Sequence, residues 1–203
     1  MTPLRRFFTS SHKEIWKQLS DELGARYQEG STWKGDRIQA EHGEWTVTLD
    51  HYMVMVGKVP MSFTRLRAPY VNPDGFRFKV YRRSFGSDLA VKLGMQDVNV
   101  GHPAFDRDFI IKGSDERKLR ALFDDPDVRR LLERQKDVTL SVKDDEGWFG
   151  KHFPAGTDEL ECIFHGLITD LQRLRDAFEL FGATLERLCK LGSAYEGDPG
   201  VEL

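Results

Sequence analysis

The chain has 203 residues, 39% of them hydrophobic and 31% charged, with a formal net charge of −3. That length can bury a substantial core without metal or disulfide staples, and it suits one domain. The charge balance argues against nucleic acid as the partner, and the two cysteines, Cys162 and Cys189, form neither a CxxC pair nor a zinc pattern.

The opening MTPLRRFFTSS carries a basic pair but only two phenylalanines, where a secretory signal needs about 7–15 apolar residues. No run approaches the roughly 20 apolar residues of a membrane span, so the expected location is the cytoplasm. Phe7 and Phe8 beside Arg5 and Arg6 are expected to pack on the domain rather than dip into a membrane surface. Ser11 and Glu14 have capping-box spacing and predict the start of the first helix. Ile15, Trp16, Leu19 and Leu23 then recur at helical spacing, and Gly24 marks its end.

From Trp33 to Phe85 the period becomes two. Ile38 and Ala40 alternate with charged neighbours, HG at 42–43 offers a tight turn, and Trp45, Val47 and Leu49 alternate again. GKVP at 57–60 is a second turn and NPDG at 72–75 a third, followed by FRFKVYRRSF with Phe76, Phe78 and Val80 on one face. Connections this short predict antiparallel neighbours, hence a meander of four strands.

SDLAVKLG is expected to form a short helix, and DFIIKG a fifth strand. Ser114 is placed to cap the next helix, with Asp115 and Glu116 in its positive first turn and Leu119, Leu122 and Phe123 on its inner face. Asp125 and Pro126 restart the helix. VTLSVKD and ELECIFHGLI read as two further strands. Thr169 and Gln172 have the spacing of another capping box, and Leu171, Leu174, Phe178, Phe181, Leu185 and Leu188 then step by three and four. That seam fits a coiled coil or a helix lying across the sheet, and the sheet's apolar face needs such a cover. The expected fold is a single α+β domain over residues 1–203, with 1–10 and 192–203 as tails. Its antiparallel sheet combines a four-strand meander with about three further strands, covered on one face by the long C-terminal helix and the N-terminal helix.

GHPAFDRDFIIKG, residues 101–113, gathers His102, Asp106 and Asp108, with Asp97 nearby. Imidazole and carboxylate suit a metal. The spacing matches no known loop, however, and Arg107 is placed to neutralise one of the carboxylates. The structural alternative is a loop from Gly101 to Asp106 that delivers Phe105, Phe109 and Ile111 to the core. Asp144, Asp145 and Glu146 fail the calcium-loop pattern and read as a solvated turn ahead of Trp148 and Phe149. Cys162 and His165, three apart on a strand, point to opposite faces. Arg65, Arg67, Arg77, Lys79, Arg82 and Arg83 would form a positive stripe if their strands were adjacent, suited to an anionic ligand or partner. A solvated face of mixed charge is the alternative. No nucleotide, dinucleotide or hydrolase fingerprint is present, so no cofactor is expected.

The run FDRDFIIKGSDERKLRALFDDPDVRRLLE, residues 105–133, resembles a group of bacterial proteins of unknown function. The matching positions are Phe105, Asp106, Phe109, Leu122, Phe123, Leu131 and Leu132. VNPDGFRFKVYRR and GSAYEGDPGVEL also look like family features. The resemblance implies a bacterial origin and a domain of this shape. Relatives of this type often carry membrane spans, which this chain lacks. The expectation is therefore a non-enzymatic binding or scaffold domain, engaging a protein or anionic ligand through Arg65, Arg67, Arg77, Lys79, Arg82, Trp148 and Phe149. The alternative is a small hydrolase or metal-assisted enzyme using the His102–Asp108 loop.

Overall fold

The computed structural model describes residues 3–30, 35–83, 97–144, 153–197, 199–201 and 203, with side chains from His12 onward. In chain order the described elements are α1 (Pro3–Leu23), β1 (Arg26–Gln28), β2 (Arg37–His42), β3 (Trp45–Val56), β4 (Val59–Val71), β5 (Phe78–Arg82), α2 (Pro103–Asp108), β6 (Phe109–Gly113), α3 (Glu116–Phe123), α4 (Pro126–Arg134), β7 (Val138–Lys143), β8 (Thr157–His165) and α5 (Leu171–Lys190). The strands form one antiparallel sheet in the order β1-β2-β3-β4-β8-β7-β5-β6.

The alternation read from the sequence sets the two faces. Ile38, Trp45, Val47, Leu49, Leu66, Ala68, Phe78, Val80, Ile111, Leu140, Leu160 and Cys162 are buried in one core with residues of α1, α3, α4 and α5. Trp16 and Leu19 anchor α1 there, and the Trp16 indole N–H donates to the Ile168 carbonyl at 3.0 Å, so its polar end is satisfied. Leu174, Phe181, Leu185 and Leu188 of α5 are fully buried, which makes α5 the sheet's cover. Phe178 is only half-buried at the rim, beside the groove that His42 and Val47 also line.

A four-strand meander is present, but it runs β1-β2-β3-β4. The segment 76–82 does not join it. β8 arrives from late in the chain and takes the free edge of β4 from Thr64↔Phe164 to Val71↔Thr157. β5 lies two strands further on, against β7 and β6. The NPDG turn therefore crosses β8 and β7 to reach β5 instead of closing a hairpin. Asn72 holds it in place, its backbone N–H donating to Gly156 and its side chain to Phe76 O and Asp158.

Several helix starts also shift. α1 is already under way at Ser11. Asp115, not Ser114, caps α3, accepting from Arg117 N–H and Lys118 N–H, while Ser114 Oγ accepts from Arg77 N–H at 3.1 Å. Asp170, not Thr169, caps α5. In both places a carboxylate next to the predicted hydroxyl takes the cap, because a full negative charge suits the helix's positive end better. Asp125 and Pro126 start α4 as expected. The segment 87–94 lies outside the described residues.

Candidate functional site

The stretch 101–113 is a structural joint. Residues 103–108 form the short helix α2 rather than a loop, and Phe105, Phe109 and Ile111 are all buried. Phe105 stacks on Phe109 at 4.5 Å and meets Phe123 at 5.5 Å. The Asp106 carboxylate accepts from the backbone N–H groups of Val100, Gly101 and His102 at 2.9, 3.1 and 3.0 Å. Three N–H donors take three of its roughly four lone-pair sites, leaving little of the carboxylate for a cation. Asp97 pairs with Lys112, Asp108 with Arg107, and His102 Nε2 lies 2.9 Å from Arg129 Nη1. The four groups of the metal reading are thus each engaged elsewhere. Among the described residues no group of three or more His, Cys, Asp or Glu is placed to hold a metal.

Cys162 and His165 stay apart. Cys162 is in the core, where burial pushes its thiol well above its ordinary value, while His165 meets the Phe63 ring at 5.0 Å.

The basic positions are divided and largely compensated. Arg65 forks onto Asp50 at 2.9 and 2.8 Å, and Arg67 reaches the same carboxylate at 3.0 Å. Glu161, also nearly buried, pairs with Lys143 and lies 3.8 Å from Arg65. Arg65 lies over the Tyr52 ring at 4.8 Å; the Tyr52 hydroxyl is pushed up to about 12, first by burial and then by Glu161. Arg77 forks onto Asp158 at the other end of the sheet and pairs with Asp144 at 2.8 Å. Lys79 shares the sheet face with Lys112 and Lys143, and its ammonium is held below the ordinary value by burial and by those two cations. Arg82 turns to the helical side. It lies over Phe109 at 4.8 Å and donates to the carbonyls of Glu133 and Gln135, completing the C-terminal end of α4. Asp145, Glu146, Trp148 and Phe149 lie outside the described residues.

The Asp50–Arg65 pair has a sequence signature that periodicity alone misses. A two-residue turn at Gly57–Lys58 sets Val56 opposite Val59, and the same register sets Asp50 opposite Arg65. A second cluster has no such signature. His12 Nε2 lies 2.9 Å from Asp36 Oδ2, and Gly30 N–H donates to Asp36 Oδ1 at 2.6 Å. Tyr27 and His51 lie close to this carboxylate, Tyr27 pushed up and His51 pushed down, each mainly by burial. With both Asp36 oxygens engaged, this is a clasp that ties α1 to the β1–β2 connection.

Among the described residues the most exposed apolar feature is the end of the β3–β4 hairpin. Met53, Val54, Met55, Val56 and Val59 are 68%, 44%, 64%, 58% and 63% exposed. The β2 ladder stops at Asp50 and the β8 ladder at Thr64, so the hairpin runs on past the sheet as a two-stranded ribbon. Along YMVMV the alternation fails, since both parities are apolar. A half-buried strand does not read that way, and this was the available signal.

No protein-family model matches the chain, and no curated protein does either. The crystal structure of the mycobacterial trehalose monomycolate transport factor A, TtfA, is similar over 88% of this chain and 94% of that one. Its TM-score is 0.51 at 6% sequence identity, a likeness of fold. Among the described residues no helix is long and apolar enough to cross a membrane.

Proposed function

We propose that this chain is a non-enzymatic binding domain whose contact element is the β3–β4 ribbon. The observation that carries the reading is the run from Met53 to Pro60, exposed throughout and apolar on both faces of the ribbon. Exposed apolar surface that continuous is uncommon on a folded domain unless something covers it. The charged sheet face is a weaker contact surface, because Arg65, Arg67 and Arg77 already spend their donors on Asp50 and Asp158. The enzymatic alternative has less support, since Asp106 is held by three backbone donors and His102 lies against Arg129. The resemblance of residues 105–133 to bacterial proteins of unknown function is compatible with a bacterial binding domain. So is the fold shared with a protein named a transport factor.

The test is site-specific photocrosslinking in the native host. A photoreactive residue at position 55 should give discrete adducts, protein or lipid, that the same residue at exposed position 136 does not. Equal labelling at both positions, or none at 55, would remove the ribbon as the contact element.

A further inference from the structure

We propose that the ribbon tip docks into the interfacial layer of a membrane containing anionic lipid; this rests on the ribbon being the contact element. Beyond Met53↔Ser62, where Gly166 N–H still reaches Ser62, its free part comprises three cross-strand pairs, Val54↔Met61, Met55↔Pro60 and Val56↔Val59. At about 3.4 Å per residue it projects roughly 10 Å before the turn. Interfacial elements bury their apolar face about 5–10 Å into the boundary between headgroups and acyl chains, so the length fits.

The apolar groups divide between the two faces. Met53 and Met55 lie on one, with Val54, Met61, Val56 and Val59 on the other. The five exposed side chains present on the order of 500 Å² together, against about 800 Å² per partner in a standard protein interface. A flat protein surface would cover only one face of the ribbon. A lipid layer surrounds both. The tip also lacks the tryptophan, tyrosine and arginine anchors that dominate protein hot spots.

A second copy pairing edge to edge is disfavoured on the β4 side. In this hairpin register the Pro60 nitrogen faces outward, where proline has no N–H to donate. The neighbouring outward position, Ser62, already accepts from Gly166 N–H at 2.7 Å.

Charge selects the lipid class. Between His51 and Phe63 there is no acidic residue, and Lys58 in the turn is the only fixed charge. At this shallow depth its four-carbon stem can reach back to a lipid phosphate, and the ammonium keeps the tip out of the acyl core. At the ribbon's base Tyr52 and Phe63 stack at 5.4 Å on the Val54–Val56 face, placing aromatic rings of the kind that favour the interface next to the apolar tip.

The experiment is flotation of the full chain with phosphatidylcholine vesicles, with and without phosphatidylglycerol. Binding should require phosphatidylglycerol and fall as salt rises. Lys58→Glu should weaken it by at least about fivefold, the worth of one basic residue at an anionic surface. The double variant Met55→Glu, Val56→Glu should abolish it; positions 55, 56 and 58 all face solvent, so an unchanged melting temperature confirms that these variants fold. If the double variant melts early, Lys58→Glu and the salt series still decide. No flotation, or flotation indifferent to Lys58 and to the double variant, overturns the lipid assignment. Protein adducts at position 55 alongside failed flotation would overturn it while leaving the ribbon as the contact element. Failure of both assays removes both readings.

Discussion

The imidazole of His42 lies against the backbone of α5 at Gly182, where an added Cβ would come within 2.6 Å of Cε1 and 2.8 Å of Nε2. The helix thus approaches β2 more closely than any side chain at position 182 allows. The His42 ring is also held, stacked with Trp45 at 6.2 Å and 3.2 Å from Glu186. Glycine inside a helix normally costs about 1 kcal/mol relative to alanine. Here Gly182→Ala should instead destabilise, by about 1–2 kcal/mol, because overpacking displaces the ring. In a His42→Ala background the same substitution should stabilise. Urea unfolding of the four proteins in this cycle checks the reversal of sign.

Asp36 sets a pH dependence. Burial alone would raise its pKa, but Gly30 N–H and His12 outweigh that and hold the carboxyl below its ordinary value. A carboxyl with a depressed folded pKa stabilises above its unfolded pKa, about 4, and loses that contribution as pH falls through the folded value. Asp36→Asn should therefore cost about 1.5–3 kcal/mol near neutrality, the range for hydrogen bonds to a charged group. The gap between parent and variant should narrow below about pH 4. Thermal melts from pH 7 to pH 3 measure it. A gap that stays constant would mean that the charge contributes nothing.

The inner faces of β2, β3 and β4 were legible because local turns at Gly43 and Gly57 fix their pairing and side-chain parity fixes what is buried. The place of β5 was not. Its neighbours β6 and β7 come from segments far along the chain, and no local signal in FRFKVYRRSF distinguishes pairing with β4 from pairing with β7. The basic stripe failed to assemble for a related reason. Positions 65 and 67 share a face with Asp50 and Glu161, which cross-strand register brings in. The ribbon's mark in the sequence is fainter than its turn, since only the loss of alternation on either side of Gly57–Lys58 distinguishes it from an ordinary hairpin.

Helical spacing puts Phe178 in the same seam as Phe181, yet their costs on truncation should differ. Phe181 is fully enclosed, and Phe181→Ala should lose about 3–5 kcal/mol. Phe178 stands at the rim and keeps part of its ring in water, so Phe178→Ala should lose about 1–2 kcal/mol. Denaturant titration separates the two. Equal losses would place Phe178 in the core after all.

The joint at 100–113 offers the sharpest separation of structural from chemical roles. Asp106 ties down three successive N–H groups, from Val100 to His102, and thereby aims α2 so that Phe105 stacks on Phe109. Asp106→Ala leaves those donors without their acceptor and should cost about 1.5–3 kcal/mol, whereas Phe109→Ala opens a cavity and should cost about 3–5 kcal/mol. Asp106→Asn should recover part of the loss, since its amide oxygen can still accept. His102 contributes a partly exposed contact with Arg129, and His102→Ala should move stability by no more than about 0.5–1 kcal/mol. Because Asp106 acts through the position of Phe105, combining Asp106→Ala with Phe105→Ala should cost less than the sum of the two. Strict additivity would mean that the carboxylate stabilises the loop without positioning the ring. If His102→Ala melts like the parent but loses its photocrosslinks at position 55, this joint takes part in binding rather than in folding alone.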